Sequence, residues 1–67
     1  MSMSVIKKTL AELLEKLVNE AEAICRELDS VVEDIPNQLY PDAMSAKNYC
    51  HIFLKSLREF LEKVKQE

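Results

Sequence analysis

A heptad repeat in the first half of the chain is the feature that most constrains its fold. Apolar residues recur there at alternating steps of four and three, at Leu10, Leu14, Leu17, Ala21, Ile24, Leu28, Val31 and Ile35. This period is typical of an α-helix whose apolar seam packs along another helix. With Leu10 as position d, the e positions are apolar too, namely Ala11, Val18, Cys25 and Val32. A stripe this wide predicts a bundle helix that is buried on two sides.

A second apolar stripe follows a short segment of helix breakers. Residues 36–41 read PNQLYP and hold both prolines of the chain, and the residue before a proline is pushed out of the α region. Beyond this break, apolar residues recur at steps of three and four, at Ala43, Ala46, Cys50, Phe53, Leu57, Phe60 and Val64. We predict an all-α antiparallel hairpin that forms a single domain over residues 1–67. Its first helix spans about 4–34, its linker 35–41 and its second helix about 42–66.

The lack of glycine among the 67 residues argues against several folds and functions. Phosphate-cradling loops and type I′ β-turns both need glycine at fixed positions, so we expect neither a nucleotide-binding loop nor an all-β fold. Unbroken apolar runs are only a few residues long, which is too short to span a membrane. No secretory signal is visible either, because Glu12 and Glu15 interrupt the apolar stretch after Lys7 and Lys8. We therefore predict a cytoplasmic protein.

Association is the expected source of stability for so short a chain. A single core of this size rarely supplies more than about 3–5 kcal/mol, and soluble monomers seldom expose a large apolar patch. We predict that two hairpins form a homodimeric four-helix bundle, or that one hairpin docks on a helical partner protein. The stripe expected at the core or interface comprises Leu10, Leu14, Leu17, Ile24, Leu28, Val31, Phe53, Leu57, Phe60 and Val64. Its expected centre is Leu17, Ile24, Leu28, Phe53 and Leu57.

Cys25 and Cys50 lie on the inward stripes of the two predicted helices. If the helices end near Asp34 and restart near Asp42, the two cysteines lie at nearly the same height. They form either a pair of buried thiols or an interhelical disulfide. His51 points about 100° away from Cys50, so one metal ion cannot easily bind both side chains. We predict no metal site and no cofactor.

The sequence also lacks the signs of a catalytic site. Nucleophilic catalysis needs a base beside the nucleophile, and the single histidine lies on the wrong face for Cys50. The many acidic residues follow helical spacing on solvated faces. We therefore predict that the chain is not an enzyme, has no catalytic residues and binds no small-molecule substrate.

A polar stripe on the second helix suggests an alternative function. Asn48, His51, Lys55, Arg58 and Lys65 could meet phosphates, as in a dimeric helical-hairpin regulator that binds nucleic acid. However, Glu59 and Glu62 interrupt this stripe, and the net charge of −3 lacks the basic excess that such proteins normally show. We therefore favour a protein–protein interaction or oligomerisation module, either self-assembling or a subunit of a larger complex, and keep the nucleic-acid-binding regulator as the alternative.

Overall fold

Two long helices make up nearly all of the structure. The computed structural model describes residues 3–66, in which α1 spans Met3–Glu33 and α2 spans Tyr40–Gln66. The two helices pack along each other as an antiparallel hairpin whose Cα extents are 53 × 14 × 14 Å. The prediction of an all-α helical hairpin is confirmed. No stretch of residues 3–66 combines the length and hydropathy of a membrane-spanning helix.

The connection between the helices reverses the chain without glycine. After α1 ends at Glu33, Pro36 adopts an extended conformation with φ −61° and ψ 148°. A single 3-10 turn over Asn37–Leu39 follows, in which the Leu39 N–H donates to the Pro36 carbonyl at 3.0 Å. No residue from 3 to 66 has a positive φ. The reversal therefore uses only backbone conformations that any residue can adopt.

The second helix begins earlier than the sequence predicts. Its first residue is Tyr40, two positions before Asp42, so that Pro41 lies in its first turn. Proline is tolerated there because its ring already has a helical φ and the missing N–H would have no partner within the helix. Asp42 also lies in the first turn, and Lys63 and Lys65 lie in the last turn. Each of these charges interacts favourably with the helix dipole at its end of α2.

The core of the hairpin follows one seam of the wide stripe. Its buried apolar residues are Leu14, Val18, Ala21, Cys25 and Val32 on α1 and Leu54 on α2. On α1 these are all a and e positions. Leu54 lies in a cluster with Val18, Ala21 and Cys25, against which the half-buried Cys50, Leu57 and Leu61 pack. The a/e seam of α1 is therefore the one that α2 covers.

Three of the five residues expected at the centre of the core or interface are not buried within the hairpin. Leu17, Ile24 and Phe53 keep 37 %, 55 % and 57 % of their surface exposed, whereas Leu28 and Leu57 are half-buried. The physical reason is geometric. A stripe that spans positions a, d and e offers two adjacent seams, and one neighbouring helix fills only one of them. Because α2 fills the a/e seam, the d positions of α1 stay open.

Candidate interaction surface

A disulfide between Cys25 and Cys50 joins the two helices in the middle of the hairpin. The two Cα atoms lie 5.6 Å apart, a normal separation for such a bond, and Cys25 is fully buried. The bond closes a loop between positions separated by 25 residues. Neither sulfur is a free thiol, so this pair contributes to the stability of the hairpin rather than offering a nucleophile.

One side of the hairpin, here called the charged flank, carries a row of contacts between acids of α1 and basic side chains of α2. Its main members are Glu15, Glu22 and Asp29 on α1 and Lys65, Arg58 and His51 on α2, and Lys47 Nζ also lies 3.9 Å from Asp29 Oδ1. The acids are spaced seven residues apart along α1, and their partners are spaced seven apart along α2. Both rows therefore follow the same period as the core, and each antiparallel pair lies two helical turns from the next.

The distances within the charged flank are those of direct contacts. Arg58 Nη2 donates to Glu22 Oε1 at 3.0 Å, and Lys65 Nζ lies 3.2 Å from Glu15 Oε1. His51 Nε2 lies 2.9 Å from Asp29 Oδ1. All of these side chains are between one-third and about half exposed, so each pair contributes only about 0–1 kcal/mol. Their main effect is to fix the register of the two helices and to pair three basic side chains of α2 with carboxylates of α1.

The opposite side of the hairpin, here called the apolar flank, is open. It consists of Leu10, Leu17, Ile24 and Val31 on α1 and Phe53 and Phe60 on α2. Leu10 is half-buried and the other five are exposed. In its middle lies a shallow cavity of about 120 Å³ that Leu17, Glu20, Ala21, Ile24, Phe53 and Leu57 line. Residues of both helices thus contribute to one continuous apolar surface.

The remaining stripe residues lie between these two flanks. Leu14 is buried in the core, and Leu28, Leu57 and Val64 are half-buried along the seam. The ten stripe residues predicted from the sequence therefore divide into a group that α2 and α1 bury between them and a group that stays open on the apolar flank. The structure brings the second group together but places nothing on it.

The N-terminal end of α1 extends past the end of α2. Lys65 pairs with Glu15 and α2 ends at Gln66, so roughly the first two turns of α1 have no α2 residues beside them. A second apolar cavity, of about 330 Å³, lies at this end and is lined by Ile6, Thr9, Leu10 and Leu13. It shares Leu10 with the apolar flank and prolongs that flank along α1.

The polar stripe of α2 is largely engaged within the chain. Of its five residues, His51, Arg58 and Lys65 contact α1 carboxylates, while Asn48 and Lys55 are exposed on the outer face. Among residues 3–66, no group of three His, Cys, Asp or Glu side chains is placed to hold a metal ion. No family model, curated protein or solved structure matches the chain.

The charged flank is the feature that the sequence analysis missed. From the sequence, the cations of α2 formed a candidate phosphate-binding stripe, which was the less favoured alternative, and the acids of α1 formed a solvated face. The signal that could have found the flank is the matching seven-residue spacing of Glu15, Glu22 and Asp29 with the three bases. Rows of opposite charge at the period of the core lie side by side when the helices are antiparallel.

Proposed function

We propose that this chain is a protein–protein association module and that its binding surface is the apolar flank. The observation that carries this proposal is the contrast between the two sides of one hairpin. The charged flank is closed by ion pairs between the helices, whereas Ile24, Val31, Phe53 and Phe60 stand exposed on the other side. A face of this composition is typical of the apolar centre of a protein interface, where aromatic residues are enriched and charges are few.

The energetic case rests on the area that a partner would remove from water. Burying apolar surface contributes about 25 cal/mol per Å², or about 1.5–3 kcal/mol for a large side chain that passes from full exposure to full burial. Five residues of the apolar flank keep roughly a third to a half or more of their surface exposed. A docked partner would therefore recover a substantial part of this energy, which the hairpin alone leaves unused.

The dimensions of the apolar flank suit an interface of ordinary size. Leu10 and Val31 lie 21 positions apart on α1, which corresponds to about 31 Å along the helix. Two helices side by side are about 20 Å wide, so the face measures roughly 600 Å² before its relief is counted. Stable interfaces bury about 800 Å² on each partner. The flank, together with its extension at the N-terminal end of α1, approaches that size.

The alternative of nucleic-acid binding finds less support. Three of the five side chains proposed for phosphate contact already pair with carboxylates of α1, and a phosphate would have to compete with those acids. The acids also give this side of the hairpin a mixed rather than a positive potential, whereas affinity for nucleic acid depends on a row of unopposed cations. We therefore assign the main contact surface to the apolar flank.

Site-specific photo-cross-linking tests the proposed function in the cell that makes the protein. A photo-reactive amino acid replaces Phe53 on the apolar flank or, as the matched control, Lys55 on the outer face of the same helix. Both positions are exposed in the hairpin, so neither replacement should disturb the core. We expect a discrete cross-linked protein species from position 53 and none from position 55.

The outcome at position 53 decides the proposal. A single species, either a doubled chain or one defined heterologous protein, supports an association module that uses the apolar flank. Equal yields from positions 53 and 55, or no adduct from either, would contradict it.

A further inference from the structure

We infer that the occupant of the apolar flank is a second copy of this chain, packed antiparallel to the first. This inference rests on the proposed function and names the partner. In the arrangement that we infer, the two apolar flanks face each other, and the α1 helices of the two copies run in opposite directions across the interface. The loop of each copy then lies at the end where α1 of the other copy begins.

The width of the apolar flank favours another two-helix face. Side chains of α1 and of α2 both contribute, and the central cavity lies between Ile24 on one helix and Phe53 on the other. A single helix laid into that cavity would leave the outer edge of one row uncovered. A second hairpin presents the same two rows and covers both. Because both copies use the same face, the assembly closes as a dimer instead of growing into a filament.

The even spacing of the apolar flank is compatible with a two-fold axis. Leu10, Leu17, Ile24 and Val31 are placed symmetrically about the middle of their row, so an antiparallel copy sets Leu17 opposite Ile24 and Leu10 opposite Val31. On α2, Phe53 and Phe60 lie on either side of Leu57 and pair in the same way.

The two rows share one centre of symmetry. Ala21 and Leu57 line the same central cavity, which places the middle of the α1 row and the middle of the α2 row at the same height. One two-fold axis through this cavity therefore satisfies both helices at once.

The ends of the hairpin distinguish this arrangement from the one with both loops at the same end. In the antiparallel pair, Leu10 of one copy lies at the height of Val31 of the other, and Ile6 lies beside the segment that follows α1, so the cavity at the N-terminal end of α1 is covered. If both loops lay at the same end of the dimer, the first turns of each α1 would extend beyond the end of α2 of the other copy. The cavity would then stay open to water.

The antiparallel arrangement carries one electrostatic cost, and this cost makes it testable. Glu20 lines the central cavity, and Lys16 Nζ lies 4.0 Å from its Oε1. In a dimer the two Glu20 carboxylates lie near the axis and repel each other, and the exposed Lys16 offsets this repulsion only in part. Glu27 lies one heptad further along α1, about 10 Å from this position. By the register that pairs Leu17 with Ile24, it lies opposite Leu14 of the copy and not opposite a second Glu27.

A pair of charge-neutralising variants tests this placement. E20Q should tighten the dimer about two- to fivefold at low salt and less at high salt, because it removes a repulsion between like charges. E27Q is the matched control and should change the dissociation constant by less than E20Q does. Equal effects of the two variants, or a weaker dimer for E20Q, would contradict the antiparallel placement.

Nuclear Overhauser effects between methyl groups test the inference directly on the oxidised chain of 67 residues. Leu10 and Val31 lie about 31 Å apart within one α1 helix, so a cross-peak between their methyl groups can arise only between two chains. We expect that cross-peak at concentrations where the dimer forms. The methyl groups of Val18 and Leu54, which lie in one core cluster of the same chain, supply the positive control.

A strong Val18–Leu54 cross-peak without a Leu10–Val31 cross-peak would overturn the inference. The proposed function would fail separately, because photo-cross-linking from position 53 does not depend on which protein covers the flank. Capture of one defined heterologous protein there would leave the function standing and remove only the second copy as its occupant.

Discussion

Replacing Leu54 with alanine is expected to lower the free energy of unfolding of the hairpin by about 2–5 kcal/mol. Leu54 is 5 % exposed and lies in the core cluster with Val18, Ala21 and Cys25. The variant loses the transfer free energy of the missing methyl groups and leaves a cavity that rigid helices cannot close. Urea unfolding, followed by circular dichroism at a concentration low enough to keep the chain monomeric, measures the loss.

Phe53, the neighbour of Leu54 on α2, supplies the matched control. Its ring is larger, but it lies on the apolar flank and has no core position in the hairpin. At the same low concentration, F53A should change the free energy of unfolding by less than about 1 kcal/mol. Equal losses for L54A and F53A would show that α2 turns a different face toward α1 from the one described above.

Removing the disulfide is expected to destabilise the hairpin by about 3.5 kcal/mol. The estimate follows from the size of the loop that the bond closes. The bond lowers the conformational entropy of the unfolded chain more than that of the folded chain, and this effect grows with the length of the loop. Reduced cysteines still pack as small apolar side chains, so most of the loss comes from the link itself. For a chain whose core supplies only a few kcal/mol, a loss of this size leaves a large unfolded fraction.

The midpoint of urea unfolding with and without a thiol reductant measures this effect. The double variant C25A/C50A serves as the control, since the reductant has no bond to break in it and its midpoint should not move. A wild-type midpoint that stays the same after complete reduction would contradict the stabilising role of the bond.

The helices themselves could be predicted from the sequence because their signals are local. The heptad steps define both apolar stripes, and Pro36 marks the end of α1 to within a residue or two. The start of α2 could not be placed as accurately. A proline in the interior of a helix ends it, whereas a proline in the first turn is accepted, and the sequence alone does not distinguish the two cases. Pro41 therefore looked like part of the linker although it belongs to α2.

The choice of seam could not be predicted from apolar residues alone. On α1 the a, d and e positions are all apolar, so two seams have nearly equal hydrophobicity and the stripe does not say which one faces α2. Contacts between the two helices distinguish the seams. With Glu22 paired to Arg58 and Cys25 bonded to Cys50, the a/e seam faces α2 and Ile24 faces away from it. This information lies in a relation between two distant segments, which a reading of each helix alone does not reveal.

The apolar flank follows from that choice and shows why the site was only partly predictable. The sequence identified Leu17, Ile24 and Phe53 as residues at the centre of a stripe expected in the core or interface, but it could not show that α2 leaves them open in the single hairpin. Their exposure depends on the rotation of each helix about its own axis. If a helix turns about its axis until the neighbouring heptad position faces the other helix, a row that was open becomes buried and the row that was buried becomes open.

Sedimentation equilibrium at micromolar concentration tests the central claim, that the apolar flank is an association surface, most directly. The wild-type protein should have twice the 7.7 kDa mass of the chain. The variant I24D should have the mass of one chain and keep its helical content, because Ile24 is exposed in the hairpin while a carboxylate at a desolvated interface is costly. K55D, on the outer face, should remain a dimer. A wild-type protein with the mass of one chain at every concentration, or an I24D variant that is still a dimer, would contradict the claim.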